Sequence, residues 1–220
     1  MNFMERIIGT ITSPDKAMED VAKEPRWEEA LVIMGVYAVI YALYAYLYST
    51  HTKYVYTTNT PGIEAMGPIT VISTIVAGLI MPLIYWLIAT VVLFLLSMAF
   101  GGEGKFTTLL TGIGFSNLVK IFAIIIALIL ATQAPYITIT MDPSNPLGAV
   151  SQATSLGTNI YMIASQIVLL LGLIWSCIIG IFGLKHCQKL SFRSAAIVVG
   201  IPAVIYIIIS YSAMFLMMLK

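Results

Sequence analysis

Charge is scarce in this chain. Of its 220 residues, 10% are Asp, Glu, Lys or Arg and 60% are hydrophobic, whereas soluble domains carry about 25% charged residues. A soluble fold of that composition would present a large apolar surface to water and aggregate. The net charge is +1, which excludes the basic footprint of a nucleic-acid binder and any acidic tail. Cysteine is scarcer still, with two in the chain. Cys177 and Cys187 sit toward one end of the same apolar run, which argues against a structural disulfide and offers no metal-ligand spacing. His51 and His186 are far apart in topology and have no metal-ligand company, so neither a metal nor a cofactor is expected. Beyond the N-terminal segment the acids are Glu64, Glu103 and Asp142, all in predicted loops. Ion-coupled transporters place ionisable residues in the bundle, and intramembrane proteases need Ser/His or paired Asp within their spans. Both classes are therefore disfavoured, and no catalytic residue is assigned. The basic leader of a signal peptide is missing too: Asp15, Glu19, Asp20, Glu24, Glu28 and Glu29 precede the first apolar run, so the first span is expected to remain in the mature protein.

What the chain has in abundance is long apolar runs. A bilayer core of about 30 Å needs about 20 residues of helix. Such runs lie at Ala30–Tyr48, Ile69–Phe100, a third ending near Ala131, Ile160–Leu184 and Ala195–Leu219. They are continuous rather than alternating, so they read as helices and not barrel strands. The fold class is all-α: an integral membrane bundle of five transmembrane helices (domain 30–220), preceded by a segment (1–29) of short amphipathic helices. The lipid bilayer is the first partner implied.

In that segment, Phe3, Ile7, Ile8 and Ile11 recur at helical spacing, predicting a short helix on the membrane surface. Ser13-Pro14 opens a second helix with serine at the cap and proline in the first turn. Pro25 ends it, and Trp27 falls where an interfacial anchor belongs. The third run admits two readings, 106–131 as one helix or a membrane helix over 118–134. Phe106, Leu109, Leu110 and Ile113 share one face, as in a helix lying in the interface, and Ser116 or Asn117 could cap a new helix. That arrangement is favoured, because it places Lys120 in the first membrane turn, where its side chain can snorkel. A lone lysine at mid-membrane would be costly.

Orientation follows from the basic residues. Arg6, Lys16, Lys23, Arg26, Lys105, Lys185, Lys189 and Arg193 fall on one side, and Lys53 and Lys220 on the other. Lys and Arg concentrate in cytoplasmic loops. The N-terminus is expected in the cytoplasm and the C-terminus outside, in the cell membrane.

Four constellations stand out. Tyr37, Tyr41, Tyr44 and Tyr48 form one stripe along the first span, readable as a polar groove or as a packing face. Gly172, Ser176 and Gly180 form a small-residue seam for close helix contact, within the chain or in a homo-oligomer. Pro82 and Pro202 lie inside the second and fifth spans and remove backbone hydrogen bonds there. Lys105, Phe106, Lys185, Lys189 and Arg193 mark a cytoplasmic face able to meet protein partners. Gly101-Gly102-Glu103-Gly104-Lys105 lacks the spacing of a phosphate-binding loop and reads as a tight turn.

The order of features resembles the Yip domain family, the Ypt/Rab-interacting membrane proteins and their prokaryotic relatives. The resemblance rests on Ile7–Ala30 around Ser13-Pro14 and Trp27, on FGGEGKFTTLLTGIGFSN over Phe100–Asn117, and on LGLIWSCIIGIFGLKHCQKLSFRSA over Leu171–Ala195. It implies five spans, a cytoplasmic N-terminus and no enzymatic activity. Many relatives carry a proline after the interfacial segment, where this chain has Leu118-Val119-Lys120. Eukaryotic members are linked to small GTPases through a longer N-terminal region, so that property is not carried over. The expected role is a membrane scaffold or membrane-organising, trafficking-related protein. The alternative is a passive channel, or a transporter or scramblase of a lipid-like substrate.

Overall fold

The computed structural model describes residues 1–56, 66–141 and 159–218. Glu64, Asp142 and Lys220 lie outside the described residues. Helix α1 (Phe3–Thr12) opens with a capping box in which the Glu5 N–H donates to Asn2 Oδ1 and the Asn2 N–H donates to Glu5 Oε2, each at 2.8 Å. This satisfies two otherwise orphaned donors of the first turn. Helix α2 (Pro14–Lys23) follows after Ser13 and starts on its proline. The chain then builds α3 (Trp27–Thr50), strand β1 (Thr52–Tyr56), α4 (Met66–Ala99), α5 (Phe106–Ser116), α6 (Leu118–Ala131), strand β2 (Ile137–Met141), α7 (Ile160–Cys187) and α8 (Phe192–Met218).

Five stretches are long and apolar enough to cross a membrane: Trp27–Thr50, Ile69–Ala99, Phe106–Ala131, Ile160–Cys187 and Phe192–Tyr211. Helices α5 and α6 meet at a one-residue turn at Asn117, and the pair forms the third of these. The bundle is all-α apart from the two strands. These pair in parallel, Thr52 against Ile137 through Tyr56 against Met141, at the end of the bundle away from α1 and α2. The β-branched run Ile137-Thr138-Ile139-Thr140 is the local signal for that pairing. Beside it, His51 stacks on Tyr136 with ring centroids 4.7 Å apart.

Helix α3 packs against α4 on one side and α5–α6 on the other, and α7 packs along α5–α6 and supports α8. Met34, Trp86, Leu109, Ile113, Leu184 and Val198 form a core joining α3, α4, α5, α7 and α8. Small residues set how near the axes come. A Cβ on Gly172 would collide with the Ala123 side chain, and one on Gly114 would lie 2.5 Å from Ala30 Cβ. Without water as a driving force, such backbone proximity supplies the van der Waals packing that holds membrane helices together.

Two expectations about surface helices are corrected here. Helix α5 is not laid along the outside of the bundle. It is walled in by α2, α3, α4 and α7, and Thr108, Leu109 and Thr111 through Ser116 are buried. Its threonine and glycine face, which reads as lipid-averse, is the side that other helices cover. Nor does α1 rest its Phe3, Ile7 and Ile11 on lipid. They pack against Met18, Val21, Ile33, Phe115 and Ile179, with Phe3 edge-on to Phe115 at 6.3 Å. Ile8, on the other face of α1, is the one left exposed.

The Gly172 contact makes a direct prediction. Gly172→Ala should destabilise the detergent-solubilised protein by about 1–3 kcal/mol, as overpacking does. Gly200→Ala, where nothing lies within 4 Å of the added methyl, should be neutral or stabilising by up to about 1 kcal/mol through helix propensity. Thermal unfolding of the two variants checks it, and equal melting temperatures would refute the packing argument.

Candidate functional site

Two regions gather the polar residues of this apolar chain. The first is a cavity of about 360 Å³ inside the bundle, with walls from α3, α4, α5–α6, α7 and α8. Pro82 and Pro202 both face it. Each removes an N–H from the middle of an otherwise continuous helix, freeing the carbonyls of Gly78 and Val198 from the usual ladder. Tyr37 and Tyr41 line the cavity, and the stripe continues as a ring ladder with centroid spacings of 5.9, 6.3 and 6.3 Å through Tyr44 to Tyr48. Tyr44 is buried, and its hydroxyl has no hydrogen-bond partner among the described residues. The stripe therefore serves both roles open to it: cavity wall at Tyr37 and Tyr41, packing face at Tyr44 against Ile124, Ala127 and Ala131.

The small-residue seam runs beside the cavity. Gly172 meets Ala123, the Ser176 hydroxyl donates to Asn117 Oδ1 at 3.3 Å, and Ser176 and Gly180 leave open space that larger residues would fill. The seam is thus engaged within the chain, against α5–α6. Asn117 donates in turn to the Ile113 carbonyl at 2.9 Å, which anchors the turn between α5 and α6.

Lys120 is also on the cavity wall. It lies just past the midpoint of the Phe106–Ala131 span, in one cavity with two mid-helix prolines, and is only partly exposed. The reason is the burial of α5. Because α5 packs inside the bundle, the chain enters α6 with Lys120 on the cavity wall. No ion pair to Lys120 is found among the described residues.

The second region is the cap where α1 and α2 fold over the bundle. Arg6 is fully buried at its centre. Its Nε donates to Asp20 Oδ2 at 2.8 Å, its Nη1 to Glu29 Oε2 at 3.0 Å, and Nη2 lies 3.8 Å from Glu24 Oε2. One guanidinium so ties α1 to α2 and to the start of α3. On the far side of α2, Asp15 Oδ1 accepts from Lys185 Nζ at 2.6 Å and faces His186 Nε2 at 2.7 Å. The glycine-rich turn is fastened as well. Gly101 takes φ +81°, and the Gly104 N–H donates to the buried Gln188 side chain at 3.2 Å. A Cβ on Gly104 would collide with the Cys187 carbonyl. Lys105, Lys189 and Arg193 remain exposed, while Phe106 packs edge-on against Phe94 at 5.6 Å. Of the five face residues, Lys185 alone is spent on an internal ion pair. Sequence reasoning missed Arg6, Gln188 and the cavity position of Lys120; a basic residue flanked by acids two helices away carries no local signal.

A bundle with five such spans, apolar on its outside and fastened by short polar links at one end, defines a multi-pass integral membrane protein in contact with the lipid bilayer. The chain belongs to the Yip1 domain family, whose sequence model matches residues 8–214. It is also similar to an uncharacterized protein of Methanocaldococcus jannaschii, 27% identical over 130 residues, which covers 59% of this chain and 90% of that one. No solved structure matches the chain. Among the described residues no group of three His, Cys, Asp or Glu is placed to hold a metal ion.

The latch between α2 and α7 is pH-sensitive. Hydrogen bonds from Lys185, then His186, hold the Asp15 carboxyl below its ordinary value of 3.8. A depressed folded value means that the latch contributes fully above pH 3.8 and is lost as pH falls through the lower folded value. The site is half exposed, so the contribution is about 1 kcal/mol or less. Protection of α2 amides, taken relative to intrinsic exchange at each pH, should stay high at neutral pH and fall below about pH 4. Asp15→Asn should exchange faster at neutral pH and lose that dependence; an unchanged profile in the variant would show that the latch does not hold α2.

Proposed function

We propose that this chain is a non-enzymatic membrane-organising protein, a scaffold of the cell membrane whose cap faces the cytoplasm and whose C-terminus lies outside. The observation that carries the reading is the fixed geometry of the cap. Helices α1 and α2, the glycine-rich turn and the α7–α8 connection are each tied to the bundle, by Arg6, by the Asp15 latch and by Gln188. They leave a pre-shaped polar surface carrying both charge signs, with Lys16, Glu19, Glu28, Glu103, Lys105, Lys189 and Arg193 exposed. A surface already ordered before binding loses little entropy when a partner docks, which suits a platform. The excess of Lys and Arg on this side supports its cytoplasmic placement. The Gly172–Gly180 seam faces α5–α6 within the chain, so a homo-oligomer would use another contact.

Photo-crosslinking groups at Lys105 and Lys189 in native membranes should capture a recurring protein partner. Lys105→Glu with Lys189→Glu and Arg193→Glu should reduce its recovery severalfold, while changing stability by no more than about 0.5 kcal/mol per site, as exposed substitutions do. Absence of any recurring partner at both positions would sink the scaffold reading.

A second reading, a transporter, passive channel or scramblase of a lipid-like substrate, is favoured by one observation, the cavity between the two proline-bearing helices. It predicts lipid flip-flop in proteoliposomes that falls when Tyr37→Phe is combined with Tyr41→Phe, the two stripe residues on the cavity wall. Flip-flop no faster than in protein-free liposomes would remove it.

A further inference from the structure

We propose that the cavity is a binding site for an acidic amphiphile, whose anionic group neutralises Lys120 and whose apolar chain leaves toward lipid between α4 and α8. The inference shares its site with the transport reading and deepens it by naming the ligand class. It rests on binding alone, so a lipid that is held and never carried satisfies it.

Three features of the site lead there. First, Lys120 carries a charge into an apolar interior without an ion-pair partner among the described residues. A buried cation costs several kcal/mol unless an anion compensates it. Arg6 shows how this chain treats a buried cation elsewhere, surrounding it with Asp20, Glu24 and Glu29. Lys120 has the space for an anion instead. Second, the groups nearest it in the chain and across the seam are polar and already fixed. The Ser116 hydroxyl donates to the Ile113 carbonyl at 2.8 Å, and Asn117 and Ser176 are bonded to each other. They form a polar end to the cavity without offering a competing negative charge. Third, the rest of the wall is apolar and opens sideways. Tyr85, Ile88 and Tyr206 line the cavity and are at the same time 60%, 52% and 50% exposed on the lipid-facing surface of the bundle. Helices α4 and α8 meet only sparsely there. A small inorganic anion would match the lysine and leave the apolar opening unused. A neutral lipid would fill the opening and leave the charge uncompensated. A molecule with one acidic group on a hydrocarbon chain meets both demands.

Trp86 supplies the readout. It is buried on the cavity wall, its Nε1 donating to the Leu110 carbonyl at 3.2 Å, while Trp27 and Trp175 are exposed. With Trp27→Phe and Trp175→Phe in the full chain, Trp86 is the one tryptophan left. The protein is placed in phosphatidylcholine nanodiscs and titrated with acyl-brominated phosphatidate, brominated fatty acid or brominated phosphatidylcholine. Phosphatidate or fatty acid should quench Trp86 at about tenfold lower concentration than phosphatidylcholine, the loss expected when one partner of a buried charge pair is missing. The two acidic probes separate a phosphate from a carboxylate headgroup, and a preference for either supports the site. Lys120→Met, which fills similar volume without charge, should abolish the preference, and Lys120→Arg should keep it. Equal quenching by all three probes in the wild-type background overturns the proposal, as does a preference that survives Lys120→Met. Flip-flop activity is not read in this experiment, so a failed transport reading and a failed binding site are told apart.

Discussion

Helix α7 comes so near the α5–α6 pair that one methyl group would be too many, and the rest of the molecule follows from that approach. At Gly172 the neighbouring methyl of Ala123 occupies the place a Cβ would take, and at Gly112 the Cys187 sulfur lies 2.8 Å from such a position. The contact fixes α7 along the whole third span. Its end then delivers Lys185, His186 and Gln188 to the places where α2 and the glycine-rich turn are fastened. The close contact also creates the cavity. Where the seam continues through Ser176 and Gly180, α7 is held by its neighbours but supplies no bulk of its own. Packing in membrane proteins works through such contacts because lipid tails give no hydrophobic drive for one helix to prefer another.

Arg6 and Lys120 show how differently one chain can treat a cation set among apolar helices. Arg6 has a planar fork of donors that matches carboxylates, and the acids of α2 and α3 converge on it. Removing any single acid would leave part of the guanidinium uncompensated, since Nη2 already lacks a hydrogen-bond partner. Lys120 carries a point charge on a flexible stem and faces open volume instead of acids. An ion cluster at the end of the bundle locks helices together; an open-ended cation at mid-bundle does not serve locking at all.

Much of this was legible in the amino-acid pattern. The five spans, the tyrosine stripe, the seam and the two prolines are properties of single helices, and the periodicity of one helix is written in consecutive residues. What resisted reading depends on which helix covers which. The apolar face of α5 and that of α1 look like lipid-facing faces because lipid and a protein core ask for the same side chains. The docking of α2, through Met18 and Val21, covers the face of α1, and the core from α3, α4 and α7 covers that of α5. The cavity position of Lys120 follows from the same covering of α5. The glycine-rich turn was legible as a turn, through Gly101, but its docking on Gln188 joins residues 84 positions apart, and no local pattern encodes such a pair. The β1–β2 pairing likewise joins segments on either side of two spans.

The unequal packing of α8 gives the cavity its character. Near its start, Ala195, Val198 and Val199 are buried in the main core. From Val204 to Ile209 most side chains are exposed, so beyond Pro202 the helix has few partners. A proline at that boundary leaves the Val198 carbonyl without its helical donor on the anchored side and removes one constraint on the bend. The anchored half then fixes the cavity floor against α7, while the half beyond Pro202 borders the opening toward α4. A wall built from one held and one loosely held half-helix admits a long chain from the bilayer more readily than a wall closed along its whole length. The site thus takes a compensating charge from outside the chain, beside a wall that lipid can reach.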